Sequence, residues 1–201
     1  MSYSEMKEGY RAIIEREKHR RALLAATCRD LFLRHNPEVL EIGCGHGHFI
    51  AAYAAANPKQ YCVGIDLKNK RLRKSEKKRE KRELNNLHFL KAEGCEFIEA
   101  LDPTVRLNRI FILFPDPWPK KRHHKRRLIQ DDFLSALSAH TSQEGNIYFR
   151  TDYQPYYEWT SEKIELSPYW IQDEKESWPF EEESYFEQIL GEHRSFIARR
   201  I

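Results

Sequence analysis

Residues 40 to 48 read LEIGCGHGH, in which three glycines alternate with other residues directly after a short apolar stretch. A glycine-rich turn between a strand and a helix lets the backbone approach a ligand closely. The usual dinucleotide fingerprint places its third glycine five residues after the first, where His48 stands here. We therefore predict that this loop wraps a cofactor that bears no phosphate. Glu41, just ahead of the glycines, would suit a cationic amine or sulfonium group.

The segments around this loop alternate between strand and helix patterns. Apolar runs predict strands at residues 38–42, 61–66, 87–91, 109–114 and 146–151, with two further strands at 169–172 and 195–200. Helices are predicted at about residues 3–34 and at 48–56, 69–83, 95–101, 129–140 and 155–166. Such alternation favours an α/β fold with a doubly wound, mostly parallel sheet of seven strands. We predict one domain at residues 36–201, preceded by an N-terminal helical extension at residues 1–35.

Acidic side chains stand where these strands end. Ligands of doubly wound sheets lie beyond the carboxyl ends of the strands. Glu41 lies at the end of the first strand, and Asp66 ends the second, where a carboxylate can accept hydrogen bonds from both ribose hydroxyls. Glu93 follows the third strand and Asp152 follows the fifth. We expect these four residues to converge at one edge of the sheet.

The exit from the fourth strand is stiffened by proline. Residues 114 to 127 read FPDPWPKKRHHKRR, with three prolines in five residues and six cations. Each proline fixes its own φ and restricts the residue before it, so we expect Asp116 to be held at the sheet edge beside Trp118. A rigid carboxylate next to an aromatic ring can hydrogen-bond and stack a purine, and the basic run can bind phosphates. A stiffened loop without a ligand would not explain the cations.

The net charge of +3 conceals two basic segments. Residues 68–84 hold ten basic and three acidic residues, and residues 120–127 hold six basic residues and no acid, for charges of +7 and +6. The rest of the chain carries −10, and residues 158–192 alone carry −9. Concentrated basic segments on a near-neutral chain are typical of polyanion binding. For residues 120–127 we favour nucleic acid, whereas for residues 68–84 a solvated helix face and an RNA contact are equally open.

Composition excludes several classes of protein. With 201 residues, 40% of them hydrophobic, the chain fits one globular domain rather than a fibrous or disordered protein. Its apolar stretches fall far short of the roughly 20 residues that span a bilayer, and its N-terminus lacks the apolar run of a secretory signal. We therefore predict a cytoplasmic protein with reduced cysteines and no membrane partner. Cys44, His46 and His48 could form a metal cluster, but no second ligand pair follows, and we predict no metal.

The glycine triplet and the strand-ending acids resemble the Rossmann-like methyltransferases that use S-adenosylmethionine. A longer set of motifs, from about residue 39 onward, resembles the tRNA (guanine-N7-)-methyltransferase family. These motifs are EIGxGxG at 41–47, GID at 64–66, FPDPWPKKRHxKRR at 114–127, TD at 151–152 and xxFE at 184–187. The proline-rich motif is the most specific of them. The resemblance implies transfer of a methyl group from S-adenosylmethionine to nitrogen 7 of the variable-loop guanine in tRNA.

The resemblance also implies roles for individual residues, with Asp116 as the catalytic residue. Cofactor binding is implied for Glu41, Gly43, Gly45, Asp66, Glu93 and Asp116. Substrate binding is implied for Lys120, Arg122, His123, Lys125, Arg126, Arg127, Asp152, Ser184 and Glu187. Ser184 stands where the family usually has threonine, and the hydroxyl is kept. The implied partner is tRNA, with the protein acting as a monomer or homodimer.

Two other functions remain open from the sequence. The first is an S-adenosylmethionine-dependent methyltransferase of another RNA or of a small molecule. The second is a non-catalytic RNA-binding module that keeps a relic of the cofactor loop. Such a module would be expected to have lost Glu41, Asp66 or a glycine of the loop, and all are present. A nicotinamide dehydrogenase is disfavoured by the glycine spacing.

Overall fold

The chain folds into thirteen helices and strands, as a computed structural model describes them over residues 8–180 and 192–201. The helices are α1 (Glu8–Phe32), α2 (His48–Ala56), α3 (Asn69–Lys81), α4 (Gly94–Ala100), α5 (Asp131–Ala139) and α6 (Gln154–Glu165). The strands are β1 (Val39–Ile42), β2 (Cys62–Asp66), β3 (Leu87–Lys91), β4 (Leu107–Leu113), β5 (Thr141–Thr151), β6 (Trp170–Gln172) and β7 (Arg194–Arg200). A short 3₁₀ helix at Lys121–Arg126 lies between β4 and α5.

The strands form one seven-stranded sheet in the order β3-β2-β1-β4-β5-β7-β6. The first five strands pair in parallel, whereas β7 runs antiparallel to both β5 and β6. This arrangement confirms the predicted doubly wound, mostly parallel fold. The connections change direction between β1 and β4, which places the switch point of the sheet at the carboxyl ends of these two strands.

Two hydrophobic clusters cover the two faces of the sheet. Alternate residues of β4 supply both of them, because successive side chains of a strand point to opposite faces. Ile110 and Ile112 join the cluster that contains residues of α1, α4, α5 and α6. Phe111 and Leu113 join the cluster that contains residues of α2 and α3. The central strands are therefore buried on both sides, which explains why they read as continuous apolar runs.

Helix α1 is attached through its C-terminal half. Leu24 and Cys28 are buried in the cluster shared with α4, while Ile13 nearer the N-terminus is exposed. Arg20 and Arg21 form ion pairs with Glu96 and Glu99 of α4. The boundary of the predicted extension at residue 35 stays a prediction. No helix in the described part of the chain is both long and apolar enough to cross a membrane.

Some local structure differs from the sequence prediction. Strand β5 begins at Thr141, five residues before the predicted start, and its pairing with β4 shifts register between Leu107 and Arg109. The 3₁₀ helix was not predicted, because a run of cations carries no apolar periodicity. The cysteines are free, as expected, and three of them are buried.

Candidate active site

The loop between β1 and α2 is shaped by its three glycines. Gly43, Gly45 and Gly47 have φ values of +79°, +56° and +64°. Residues other than glycine rarely adopt this region of backbone conformation. A Cβ on Gly47 would also lie 2.7 Å from the Phe89 ring and 2.9 Å from the Cβ of Ser75. The loop is thus pressed against β3 and α3, and its backbone forms one wall of a cleft.

Glu41 is buried beneath this loop, with 4% of its surface exposed. Its Oε2 accepts a hydrogen bond from the backbone N–H of Ile50, 3.2 Å away in the first turn of α2. The pKa of Glu41 is raised to about 8, mainly by burial and in smaller part by the charge of Asp66, while the hydrogen bond from the Ile50 N–H partly offsets the increase. A buried carboxyl group that ionises near neutral pH is suited to a cationic partner.

Asp66 is also buried at the end of β2 and holds the glycine loop in place. Its Oδ2 accepts a hydrogen bond from the Gly45 N–H at 3.1 Å, and its Oδ1 accepts one from the Lys68 N–H at 2.7 Å. Arg71 of α3 lies 3.4 Å from the same carboxylate. Arg71 was not predicted as a site residue, because its only signal in the sequence is a cation in the first turn of the helix that follows Asp66.

Two cavities meet at the carboxyl edge of the sheet. The smaller, of about 180 Å³, is lined by Glu41, the glycine loop, His46, His48, Arg71 and Phe114. The larger, of about 510 Å³, is lined by side chains that include Asp66, Glu93, Asp116, Trp118, Arg126 and Asp152. Both cavities are lined by Gly43, Arg71, Leu113 and Phe114. The acids that the sequence places at strand ends therefore gather around adjoining spaces.

Glu93 has a structural partner within the protein. It is the N-cap of α4, and its Oε2 accepts hydrogen bonds from the backbone N–H groups of Cys95 at 2.9 Å and Glu96 at 3.2 Å. An N-cap carboxylate satisfies N–H groups that the first turn of a helix leaves unpaired. Glu93 thus caps helix α4 and also lines the larger cavity.

The proline-rich segment leaves β4 with unusual backbone geometry. Phe114 and Trp118, on either side of the sequence Pro-Asp-Pro, have φ values of +50° and +45°. The N–H of Phe114 donates to the Arg150 carbonyl of β5 at 2.7 Å. Asp116 is exposed between these two residues, at the rim of the larger cavity.

The Trp118 ring is flanked by two side chains of the 3₁₀ helix. The Arg126 guanidinium lies 5.0 Å from the ring centroid, within range of a cation–π contact. The His123 ring meets the Trp118 ring edge-on at 5.8 Å. These two contacts hold Trp118 against the basic segment, two residues after Asp116.

Arg127 differs from the other cations of this segment because only 3% of its surface is exposed. Its Nε donates to the Pro117 carbonyl at 2.9 Å, and its guanidinium lies 4.9 Å from the Tyr156 ring and 5.2 Å from the Trp159 ring. Arg127 thus fastens the proline-rich segment to α6. This geometry does not favour the direct RNA contact that the sequence predicts for Arg127.

Three other cations predicted to bind the substrate lie on the protein surface. Lys120, Arg122 and Lys125 are exposed on or beside the 3₁₀ helix, outside the residues that line the two cavities. Ser184 and Glu187 lie outside the described residues. Within residues 8–180 and 192–201, no group of three or more His, Cys, Asp or Glu side chains is arranged to hold a metal ion.

The sheet order, with antiparallel β7 inserted between β5 and β6, and the glycine loop at the switch point define the fold of the Rossmann-like methyltransferases. Two solved structures share it. An antibiotic-related methyltransferase matches with a TM-score of 0.56 and 19% identity, over 88% of this chain and 93% of that chain. TrmN from Thermus thermophilus matches with a TM-score of 0.59 and 17% identity, over 90% of this chain and 48% of that chain.

Sequence comparison narrows the class to one family. A family model described as "Putative methyltransferase" matches residues 35–195. A tRNA (guanine-N(7)-)-methyltransferase of Lachnoclostridium phytofermentans is 34% identical over 72% of this chain and 67% of its own length. One of Alkalilimnicola ehrlichii is 36% identical over 68% of this chain and 58% of its own length. The chain belongs to the tRNA (guanine-N(7)-)-methyltransferase family. The match spans between 58% and 67% of these two relatives.

Proposed function

We propose that the chain transfers a methyl group from S-adenosylmethionine to nitrogen 7 of the variable-loop guanine in tRNA. The observation that carries this proposal is the composition of the larger cavity. There the buried acid Asp66, the exposed carboxylate of Asp116 and the basic side chain of Arg126 line one space. Relatives named for this activity add support.

The residues at the switch point fit S-adenosylmethionine. Glu41 would face the positively charged end of the molecule, whose charge would favour the ionised form of this buried carboxyl group. Gly43 and Gly45 would let the backbone pass close to it, and Asp66 and Glu93 would bind its nucleoside hydroxyl and base groups. Bound there, S-adenosylmethionine supplies an electrophilic methyl group on a sulfonium sulfur.

The protein's contribution to the reaction is placement and charge. Nitrogen 7 of guanine carries an exposed lone pair, so no residue has to remove a proton from it. The methylated ring gains positive charge, which the carboxylate of Asp116 can stabilise from the cavity rim. Asp116 can instead hold the guanine through its N–H donors, and Trp118 offers a ring for the base to stack on. Correct positioning of the two reacting atoms supplies the rest.

The basic 3₁₀ helix gives the proposed tRNA its electrostatic partner. The phosphates would be contacted by Lys120, Arg122, His123, Lys125 and Arg126. Asp152, which lines the larger cavity, would contact the nucleotide. Ser184 and Glu187 complete the proposed substrate residues. We place the protein in the cytoplasm, as a monomer or homodimer, with residues 36–201 as the catalytic domain and without a metal.

Methylation mapped at single-base resolution tests this function. Purified protein, unmodified tRNA and labelled S-adenosylmethionine are combined, and the position of 7-methylguanine is read by cleavage at the modified base. We expect label at one guanine of the variable loop. Label at another RNA base or in a small molecule would replace the proposal with a different methyltransferase. No transfer, together with retained RNA binding, would support a non-catalytic RNA-binding module.

A further inference from the structure

Helix α3 carries five cations on its solvent-exposed face, Lys70, Arg73, Lys74, Lys77 and Lys81. At 3.6 residues per turn they fall within an arc of about 100° on the helix surface. Among the described residues, none of the five forms an ion pair. We call this set the α3 basic face.

The α3 basic face is poorly suited to a purely structural role. Lys70 and Lys74, Arg73 and Lys77, and Lys77 and Lys81 are like charges four residues apart, a spacing that destabilises a helix. A face that only meets water would be expected to mix the two signs. The acids of α3 lie instead along one border of the face, where Glu76 pairs with Arg79 at 2.6 Å.

The α3 basic face starts beside the proposed active site. Lys68 and Arg71, at the beginning of α3, line the larger cavity together with Arg126 of the 3₁₀ helix. The Lys78 ammonium donates to the His46 carbonyl of the glycine loop at 2.8 Å. Burial lowers the pKa of His46, and the charges of Lys74 and Lys78 lower it further. Residues of the two basic segments, which are distant in sequence, therefore line one cavity.

We propose that the α3 basic face binds the phosphate backbone of the RNA substrate, as a second contact beside the 3₁₀ helix. The identity of the RNA as tRNA rests on the proposed function. A base that enters the larger cavity belongs to a chain of phosphates that extends beyond it. The α3 basic face extends the positive surface along the helix from Lys68 and Arg71, which line the cavity. Such contacts are independent of base sequence and position the RNA rather than select it.

Substitution of two cations on α3 tests the proposal. Arg73→Gln with Lys77→Gln removes two charges from the face and leaves the residues of the cavities untouched. We expect the KM for tRNA and the tRNA dissociation constant to rise about tenfold, and the slope of log K against log salt to fall by about 2. The kcat and the affinity for S-adenosylhomocysteine should not change.

Arg34→Gln with Lys59→Gln is the matched control, since it removes one arginine and one lysine that are exposed near the starts of β1 and β2, at the opposite edge of the sheet. It should bind tRNA like the unmodified protein. Arg73→Lys should restore most of the binding lost with Arg73→Gln. Because the α3 double variant relieves like-charge repulsion, its melting temperature should not fall.

Failure of the α3 contact can be distinguished from failure of the proposed function and from binding to a membrane. Equal KM and equal salt slope in the two double variants would overturn the α3 contact while leaving the proposed function intact. If the unmodified protein binds tRNA without methylating it, the proposed function fails. The α3 contact is then still tested by comparing the tRNA dissociation constants of the two double variants. Loss of binding to phosphatidylserine vesicles, with tRNA binding unchanged, would assign the face to an anionic membrane and overturn the proposal.

Discussion

Asp116 owes its position to the backbone on both sides of it. Phe114 and Trp118 adopt positive φ values, which cost about 1–3 kcal/mol each for residues with side chains. Two hydrogen bonds help to hold this geometry, one from the Phe114 N–H to β5 and one from the Arg127 side chain to the Pro117 carbonyl. The strained segment is thus supported from two directions, and it presents one exposed carboxylate at the cavity rim.

Replacement of Asp116 separates its role in catalysis from one in cofactor binding. We expect Asp116→Ala to lower kcat about 100-fold or more, because it removes the group placed to stabilise charge on the guanine ring. Calorimetric affinity for S-adenosylhomocysteine should change much less. Asp116→Asn keeps an acceptor oxygen but no charge, so partial activity of this variant would favour hydrogen bonding to the base. A loss of cofactor affinity as large as the loss of rate would move Asp116 to a binding role.

Glu41 makes the stability of the protein depend on pH. Its pKa is about 8 in the folded state against an ordinary value of 4.5, so the folded state holds a proton that the unfolded state has released between these pH values. The free energy of unfolding should therefore fall as the pH rises from about 4.5 to about 8. Glu41→Gln keeps an acceptor for the Ile50 N–H and should flatten this dependence, as urea denaturation at several pH values would reveal. Parallel curves for the two proteins would contradict it.

The positions of the helices and strands depend on local sequence pattern, and the sequence predicts them well. The apolar runs and the helical periodicity locate the helices and strands of the described residues to within a few positions, apart from the start of β5 and the 3₁₀ helix. The predicted start of the first helix, at about residue 3, lies outside the described residues. The insertion of β7 between β5 and β6 was not predicted, because strand order depends on contacts between residues far apart in the chain.

In the candidate site, too, the sequence predicts the positions of residues better than their contacts in the folded protein. Glu41, Asp66, Glu93 and Asp116 could be located because each stands at the end of a predicted strand, although their functional roles stay predictions. The burial of Arg127 could not be predicted, because a run of six cations gives no indication of which side chain is buried. Partners within the protein, such as the N–H groups that Glu93 caps, became visible only in the folded structure.

The attachment of α1 to the rest of the protein can be tested with two adjacent leucines. Leu24 is 8% exposed and belongs to the core, whereas Leu23 is 60% exposed. Leu24→Ala should lower the free energy of unfolding by about 2–4 kcal/mol, because it leaves a cavity against α4. Leu23→Ala should change it by less than about 0.5 kcal/mol. Equal effects in thermal or urea unfolding would show that α1 does not pack as described.

The distribution of charge over the protein says more about its attraction to RNA than the net charge does. The value of +3 would suggest little attraction to RNA, yet the basic 3₁₀ helix and the start of α3 adjoin the same cavity. A concentrated positive surface attracts a polyanion over a distance that depends on ionic strength. The proposed tRNA would therefore be guided toward the edge of the sheet where the acids lie.

Removal of charge from the 3₁₀ helix should change the salt dependence of tRNA binding. We expect Arg122→Gln, Lys125→Gln and Arg126→Gln together to weaken binding and to reduce the slope of log K against log salt by about 3. Arg122→Lys with Arg126→Lys retains the charge and should retain the slope. Filter binding across a range of potassium chloride concentrations measures both variants. An unchanged slope in the triple variant would mean that this segment is only a solvated surface.

The position of β7 has a consequence for how the sheet opens. In the described sheet, β6 pairs with β7 alone, and β7 is also the neighbour that covers the outer side of β5. Separation of β7 from β5 therefore detaches two strands in a single event, while β1 to β4 keep their partners. Native-state hydrogen exchange should find the amides of β6 and β7 exchanging together, with one opening free energy below that of the central strands. The sheet would then come apart as two cooperative units, and the parallel strands that carry the glycine loop would belong to the more slowly exchanging one.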